Sequence, residues 1–304
     1  MTFRNVCELA AQLDDAIEHL AQSDVKISGK GRFSSYQKIL SNACRAKLGG
    51  RTAYESLEMA NTKDYYTAMC ETYDFARVVN ISKDVLCKNK GFVKRIVKGT
   101  ESYTDSSKQD QGRDTQFQIG TAAFLSRSSS SIDIECPADV MAVIGKWPVA
   151  VECKRPSTLP AIGNRIEEAY TQFKTHEKNS LNAVRFIAMD LTKIVNPPFK
   201  VLEADTTNQI ARLTDHAINE TLENAKDSID RAKRNVAGKA RVDGIIFRIL
   251  CMVVSSDGKN QNVGEFWRVA PLVSSGTQAR EAFSEVVNML PSFQPNSLPQ
   301  LENG

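Results

Sequence analysis

The sequence has few histidines and no paired cysteines, and both shortages exclude common kinds of functional site. Its 3 histidines stand far apart without an HExxH or similar spacing, which argues against a histidine-based metal site or a catalytic triad. Its 7 cysteines are scattered, odd in number and without a CxxC pair, which excludes the usual thiolate zinc arrangements. We therefore expect reduced thiols, many of them buried, and no disulfide framework.

Long apolar runs and a strong charge imbalance are also missing. No segment reaches the ~18 consecutive apolar residues that would indicate a membrane-spanning helix. The N-terminus carries acids early and lacks a signal-peptide core, so a cytoplasmic protein without membrane contact is expected. The formal net charge of +3 is too small to indicate nucleic-acid binding by itself, and local charge must carry that argument.

The apolar pattern divides the 304 residues into three parts. Residues 1–104 show apolar positions every three to four residues and predict an all-helical domain, which could bind nucleic acid, mediate assembly or cover a site. Residues 105–290 mix short apolar segments with amphipathic stretches, which predicts an α/β (α+β) domain with a mixed sheet flanked by helices. Residues 291–304 are rich in Pro, Asn, Ser and Gln and are expected to be disordered.

The stretch PADVMAVIGKWPVAVECKRP, residues 137–156, carries the candidate chemistry. Asp139 opens one strand of a predicted hairpin, and Glu152 and Lys154 end the other, so the three side chains can converge. Glu152 and Lys154 are two residues apart and project from one face of their strand, whereas the side on which Asp139 lies depends on strand register. Two carboxylates can hold Mg²⁺, and a lysine can orient water or stabilise developing negative charge. The set predicts metal-dependent hydrolysis of a phosphodiester.

The short [DE]xK pattern is weak alone, because it occurs three times in the chain. Residues 24–26 lie between predicted helices and residues 257–259 lie in a predicted turn. Only the copy formed by Glu152 and Lys154 ends an apolar strand with a Pro-x-Asp at hairpin distance upstream. The alternative is that these two residues form an ordinary surface ion pair and that Asp139 is a turn residue.

Residues 114–190 resemble the core of the PD-(D/E)xK nuclease superfamily, also called restriction-endonuclease-like. The order of helix, strand, Asp-bearing hairpin, Glu-x-Lys, helix and strand agrees, with Asp139, Glu152 and Lys154 as the matching residues. The resemblance implies a restriction-endonuclease-like mixed sheet, Mg²⁺ or Mn²⁺ as cofactor, and an endonuclease that acts on DNA rather than RNA. By analogy it also implies defence against foreign DNA, with a second copy of the chain or a protein of a defence system as a partner.

One position departs from the family pattern. Many members carry a glutamate on the helix before the first strand, and RDTQFQIGTAAFL resembles that helix with glutamine at position 118. Gln118 can still bind a metal-bound water. Asp114 lies one turn earlier on the same face and could replace the missing ligand, or could cap a helix that begins near it. The departure supports an alternative function: a catalytically weakened nuclease-fold subunit that binds nucleic acid or assembles with a partner.

Two basic segments are candidates for contact with a phosphate backbone. Residues 83–98 contain six basic side chains against one acid, and Lys94, Arg95 and Lys98 are the candidates there. Residues 226–241 form a second basic stretch. Either segment could equally be a solvated face.

The predicted helix after the motif offers two further candidates. Arg165 and Gln172 are seven residues apart and therefore share one face of that helix. An arginine there could hold a phosphate through two parallel hydrogen bonds. The alternative is that this face is only solvated.

Overall fold

A single mixed sheet of eight strands organises the chain, and helices cover both of its faces. The computed structural model describes residues 3–22, 27–28, 31–51, 62–81, 90–97, 110–134, 136–176, 182–195, 201–236, 241–256, 261–272 and 277–290. Within these ranges the mixed α/β class and the helical N-terminal region are confirmed. The predicted boundary at residues 104–105 and the predicted tail, 291–304, lie outside the described residues.

The elements follow one another in this order. The N-terminal part contains β1 (Phe3–Arg4), α1 (Val6–Gln22), α2 (Arg32–Leu48), α3 (Thr62–Ile81) and α4 (Lys90–Val97). The central part contains α5 (Gln111–Leu125), β2 (Ser129–Asp133), β3 (Val140–Ile144), β4 (Trp147–Lys154), α6 (Leu159–Thr175) and β5 (Val184–Asp190). The C-terminal part contains α7 (Thr192–Val195), β6 (Leu202–Glu203), α8 (Thr207–Asn224), α9 (Lys226–Val236), β7 (Gly244–Val254), β8 (Gln261–Pro271) and α10 (Thr277–Met289).

The strand order is β1-β8-β7-β5-β4-β3-β2, and β6 also pairs with β7. Strands β2, β3 and β4 form an antiparallel meander, whereas β4, β5 and β7 run parallel to one another. Every residue of β5 and β7 is buried, as expected for parallel strands covered on both faces. Gly145, between β3 and β4, has a φ of 59°, a left-handed conformation that glycine adopts at little cost in a tight hairpin turn.

The helices cover the two faces of the sheet in separate groups. One apolar core joins α1 to α5 with one face, and its members include Leu9, Phe33, Phe75, Phe117 and Val151. The other face packs against α6 and α9. Strand β1 pairs with β8, so the N-terminal region contributes to the sheet as well as to the core. Among the described residues, no helix has the length and hydropathy needed to cross a membrane.

The expectation that all cysteines are reduced thiols is wrong for one pair. Cys7 and Cys44 form a disulfide, with their Cα atoms 4.9 Å apart. The two residues are 37 positions apart in the chain, and they meet because the start of α1 packs beside the end of α2. Sequence spacing carries no information about that packing. The free thiols among the described residues are Cys70, Cys136, Cys153 and Cys251.

Candidate active site

The register of β3 and β4 places Asp139 and Glu152 on the same face of the sheet. Val140, the first residue of β3, pairs with Val151, and Asp139 and Glu152 are the adjacent positions just outside this pair, with side chains that both reach Lys154. Residues directly opposite each other in an antiparallel pair point to one side. Lys154, two residues beyond Glu152, points to that side as well. The three motif residues therefore converge, as the hairpin interpretation requires.

The ammonium group of Lys154 lies between the two carboxylates. Its Nζ is 3.3 Å from Oε2 of Glu152 and 3.9 Å from Oδ2 of Asp139. The backbone N–H of Cys153 donates a 2.8 Å hydrogen bond to the same Oδ2 of Asp139. One oxygen of Asp139 is thus fixed to β4, and both acids lie within reach of a single small cation.

The two carboxylates differ in solvation. The side chain of Asp139 is 31% exposed and faces solvent, whereas that of Glu152 is 2% exposed. The pKa of Glu152 is raised to about 8, chiefly by burial and also by the charge of Asp139, and Lys154 opposes the rise. Below that pH the site tends to keep a proton on Glu152. Binding of a cation to both carboxylates must therefore release that proton.

Asp139 and Lys154 line an open cleft of about 820 Å³ between α5, the end of β4 and α6. Glu152 is buried beside Lys154 and does not line the cleft itself. The charged lining consists of four acids and three bases: Asp114, Asp139, Glu167, Glu168, Lys154, Arg155 and Arg165. Because its walls carry no excess of positive charge, a polyanion would depend on bound cations for a favourable electrostatic environment.

Gln118 lies in this cleft, but its amide is directed at the backbone. Its Nε2 donates a 2.6 Å hydrogen bond to the carbonyl oxygen of Asp139. The contact holds the segment that carries Asp139 against α5. In this arrangement Gln118 supports the position of Asp139.

Asp114 also lines the cleft, and one of its two predicted roles is wrong. The helix begins at Gln111, and its cap is Asp110, whose side chain accepts a hydrogen bond from the backbone N–H of Arg113. The sequence offers several acids in this polar stretch, and only the backbone conformation selects among them. Asp114 lies in the first turn, with its Oδ1 3.6 Å from Nη1 of Arg155. As a metal ligand it would have to leave that ion pair.

The predicted nucleic-acid contacts fall into two groups. Arg165 and Gln172 both line the cleft from α6, and Arg165 forms an ion pair with Glu168. Lys94 and Arg95 are exposed on α4 and are not among the residues that line the cleft. Arg95 lies over the ring of Phe92 at 4.3 Å.

Several predicted basic positions fall in parts of the chain that are not described. Lys98 lies outside the described residues, as do residues 82–89 of the first basic segment and residues 237–240 of the second.

Sequence reasoning missed Arg155, the residue that directly follows Lys154. Arg155 lines the cleft, and its Nε donates a 3.1 Å hydrogen bond to Oδ2 of Asp190 at the end of β5. The one feature of the sequence that could have indicated a role for Arg155 is its position next to the motif. Its partner Asp190 could not be identified, because the pairing of β4 with β5 is a tertiary feature.

Two carboxylates suit a hard divalent cation that keeps part of its water shell. The proximity of two acids, one of them buried with a raised pKa, is relieved by such a cation. Within the described ranges, no group of three or more His, Cys, Asp and Glu side chains is arranged to hold a metal ion. Comparisons of the chain with protein-family models, curated proteins and solved structures gave no match.

Proposed function

We propose that this chain is a divalent-metal-dependent endonuclease that hydrolyses phosphodiester bonds, with DNA as the favoured substrate. The observation that carries the proposal is the convergence of Asp139, Glu152 and Lys154 at an open cleft. The order of elements from α5 to β5, with an antiparallel meander followed by a parallel strand, supports a restriction-endonuclease-like core. Because many chemistries share one fold, the site carries more weight than the topology.

Asp139 and Glu152 are the residues that would hold Mg²⁺ or Mn²⁺. The metal would supply a hydroxide nucleophile and neutralise charge on the reacting phosphate. Asp139 is prepared for this role because the amide of Cys153 and the amide group of Gln118 fix its carboxylate and its backbone. Glu152 supplies the second oxygen ligand from a buried position, which excludes competing water.

Lys154 would act on the water and the phosphate. Its ammonium lies beside both carboxylates, so it sits next to the position where a shared cation would bind. From there it can orient the attacking water or donate to a phosphate oxygen as negative charge develops. Lysine is no ligand for Mg²⁺, so its loss should slow the reaction without removing the metal site.

A second function is favoured by the surroundings of Gln118. Its amide is engaged by the backbone of Asp139, and Asp114 is paired with Arg155. Of the motif residues and Asp114, only Asp139 and Glu152 then remain as carboxylate ligands for a metal. These features suit a catalytically weakened subunit that keeps the nuclease fold and binds nucleic acid or a partner protein.

A cleavage panel tests the proposal. Supercoiled plasmid, linear duplex, single-stranded DNA and RNA are incubated with Mg²⁺, Mn²⁺ or EDTA. We expect DNA cleavage with either metal and none with EDTA, and a loss of roughly 10²- to 10³-fold in Lys154→Ala, the scale for one donor to developing charge. Glu167→Gln is the matched control, because Glu167 lines the same cleft but accepts its hydrogen bond from Asn235.

Two results would decide against the nuclease. The first is the absence of cleavage with every metal and substrate. The second is cleavage that appears only in Gln118→Glu, which would identify a degenerate site and favour the binding subunit.

A further inference from the structure

A fully buried arginine connects the helical region with the sheet. Arg248 of β7 is 0% exposed. It forms a short ion pair with Asp74 of α3, and its Nε donates a 2.7 Å hydrogen bond to Glu265 of β8. Its Nη1 is 3.6 Å from Asp190 at the end of β5. We call Asp74, Arg77, Asp190, Arg248 and Glu265 the buried network, since Arg77 also pairs with Glu265.

The buried network reaches the cleft through Arg155. Oδ2 of Asp190 accepts a 3.1 Å hydrogen bond from Nε of Arg155, and Nη1 of Arg155 lies 3.6 Å from Asp114. Arg155 follows Lys154 directly, so its guanidinium ties the end of β4 to the end of β5 and to the first turn of α5.

Helix α5 completes the connection to the motif. Gln118, one turn beyond Asp114 on this helix, donates to the backbone oxygen of Asp139. The placement of α5 therefore sets the placement of the segment that carries Asp139. A continuous series of charged and polar contacts runs from Asp74 in the helical region to the candidate metal ligands.

The ion pairs at the centre of this series are well defined. Burial alone would raise the pKa of Asp190, but Arg248 and Arg155 outweigh burial and lower it. Burial would likewise raise the pKa of Glu265, but Arg77 and Arg248 outweigh burial and lower it. Both acids thus stay ionised. Removing one partner of such a pair leaves an uncompensated buried charge, so neighbouring groups must move or take up protons.

We propose that Asp190 and Arg155 are positioning residues of the candidate metal site, and that Arg248 makes their placement depend on the helical region. The proposal rests on the proposed function only in treating the cleft as a metal site. Residues behind the ligands of a metal commonly orient those ligands, and their loss costs roughly 10- to 100-fold in affinity or activity.

Arg185 of β5 provides the control. It is 3% exposed and, like Arg248, is a buried arginine of the sheet. It lies at the opposite end of β5 from Asp190, its Nη1 donates a 3.4 Å hydrogen bond to the backbone oxygen of Arg241, and its guanidinium lies 5.8 Å from the ring centre of Phe173. Neither Arg241 nor Phe173 lines the cleft.

The test compares Arg248→Met, Arg185→Met and Asp190→Asn in the full chain with two readouts. The first is hydrogen exchange at the amide of Cys153, which donates to Asp139 and therefore reports the geometry of the site without metal. The second is the affinity for Mn²⁺, measured by calorimetry. We expect faster exchange and roughly 10-fold weaker Mn²⁺ binding in Arg248→Met and Asp190→Asn, and wild-type values for both in Arg185→Met.

Each outcome decides the proposal. Wild-type exchange and affinity in Asp190→Asn would overturn it, and so would equal effects in Arg185→Met and Arg248→Met, because general destabilisation would then explain both. If Arg248→Met does not fold, Asp190→Asn tests the proposal alone. Asparagine keeps the shape of the aspartate side chain and the oxygen that accepts the hydrogen bond from the backbone N–H of Thr192. If the wild-type chain binds no Mn²⁺, the proposed function fails, while the exchange at Cys153 still accepts or rejects the positioning role.

Discussion

Two clusters of charged side chains lie close together in this protein and are built differently. In the buried network, Asp190 and Glu265 each face two arginines and are buried. In the cleft, Asp139 and Glu152 share a single lysine, and Asp139 is open to solvent. The pKa of Asp190 is lowered, whereas that of Glu152 is raised to about 8. Asp74 is the exception within the buried network, since burial outweighs Arg248 and Arg77 there and raises its pKa.

The difference indicates what each cluster is for. A carboxylate that already faces two guanidinium groups gains little from a further cation, so the buried network suits the fixing of helices against the sheet. Two carboxylates that share one ammonium replace the missing positive charge by a proton on Glu152, and a cation that enters from the open side of the cleft can displace this proton. A carboxylate whose charge is balanced by arginines stabilises the fold, whereas a carboxylate whose charge is not balanced by the protein favours the binding of a cation.

The clusters should differ most in how strongly a substitution within them lowers the stability of the protein. We expect Arg248→Met to lower the free energy of unfolding by about 3–5 kcal/mol, because it leaves buried carboxylates without their partner. Lys154→Met should cost less than about 1.4 kcal/mol at pH 7, since Glu152, with its pKa of about 8, can hold a proton at that pH. Urea denaturation of both variants measures the difference. Equal losses would mean that the two clusters are not distinct.

The next largest effect is expected in the pH dependence of metal binding to the cleft. Protons compete with a cation for Glu152, so Mn²⁺ affinity should rise about tenfold per pH unit between pH 6 and 8 and level off above pH 8. The stability of the metal-free chain should change in the opposite direction. Because the folded chain holds this proton more tightly than the unfolded chain, Glu152 makes stability fall as pH rises from about 4.5 to 8.

Calorimetry from pH 6 to 9 measures the metal affinity, and thermal unfolding at the same pH values measures stability. Glu152→Gln should remove the contribution of this residue to both trends. An affinity that does not change with pH would show that Glu152 is already ionised or does not bind the metal.

Gln118→Glu should have a smaller effect, and it tests directly whether the side chain at position 118 reaches the metal. Because Gln118 donates to the backbone oxygen of Asp139, a glutamate there loses a donor and places a carboxylate against a carbonyl. We expect Mn²⁺ affinity to fall a few-fold, about 1 kcal/mol for one lost hydrogen bond. Gln118→Ala is the control that removes the donor without adding charge. Tighter binding in Gln118→Glu would place this side chain at the metal.

The smallest effect is expected on the exposed face of α4. Replacing Lys94 and Arg95 together by alanine should weaken DNA binding only a few-fold and reduce the slope of log affinity against log salt by about 1 per residue. Fluorescence anisotropy at several salt concentrations measures both quantities. Lys38, exposed on α2, provides the control substitution. An unchanged slope would mean that this face of α4 is only solvated.

The sequence was sufficient for the hairpin and insufficient for the buried network. Glu152 and Lys154 could be placed on one face because the side chains of a strand alternate, and the short turn between β3 and β4 brings Asp139 to the same end of the hairpin. The register that turns Asp139 to that face comes from the structure. Arg248 lies within the apolar run GIIFRILCMVV, and its partner Asp74 is 174 positions away in the chain. No local pattern connects two residues at that distance.

The same limit explains the two corrected predictions. The Cys7–Cys44 disulfide depends on the packing of α1 against α2. The cap of α5 depends on the backbone conformation around Asp110, and Asp114 is an equally good capping residue by type. Residue type and spacing predict what an element can do, whereas contacts between elements decide which residue does it.

The most direct test of the central claim is cleavage by Glu152→Gln under single-turnover conditions with Mg²⁺. The substitution keeps the shape of a buried side chain and removes the charge that a metal requires. The account predicts a loss on the order of 10³-fold or more in rate, as for removal of a catalytic group, with DNA affinity in EDTA unchanged. Cleavage that remains at the wild-type rate in Glu152→Gln and is still abolished by EDTA would contradict the assignment of the metal site to this cleft.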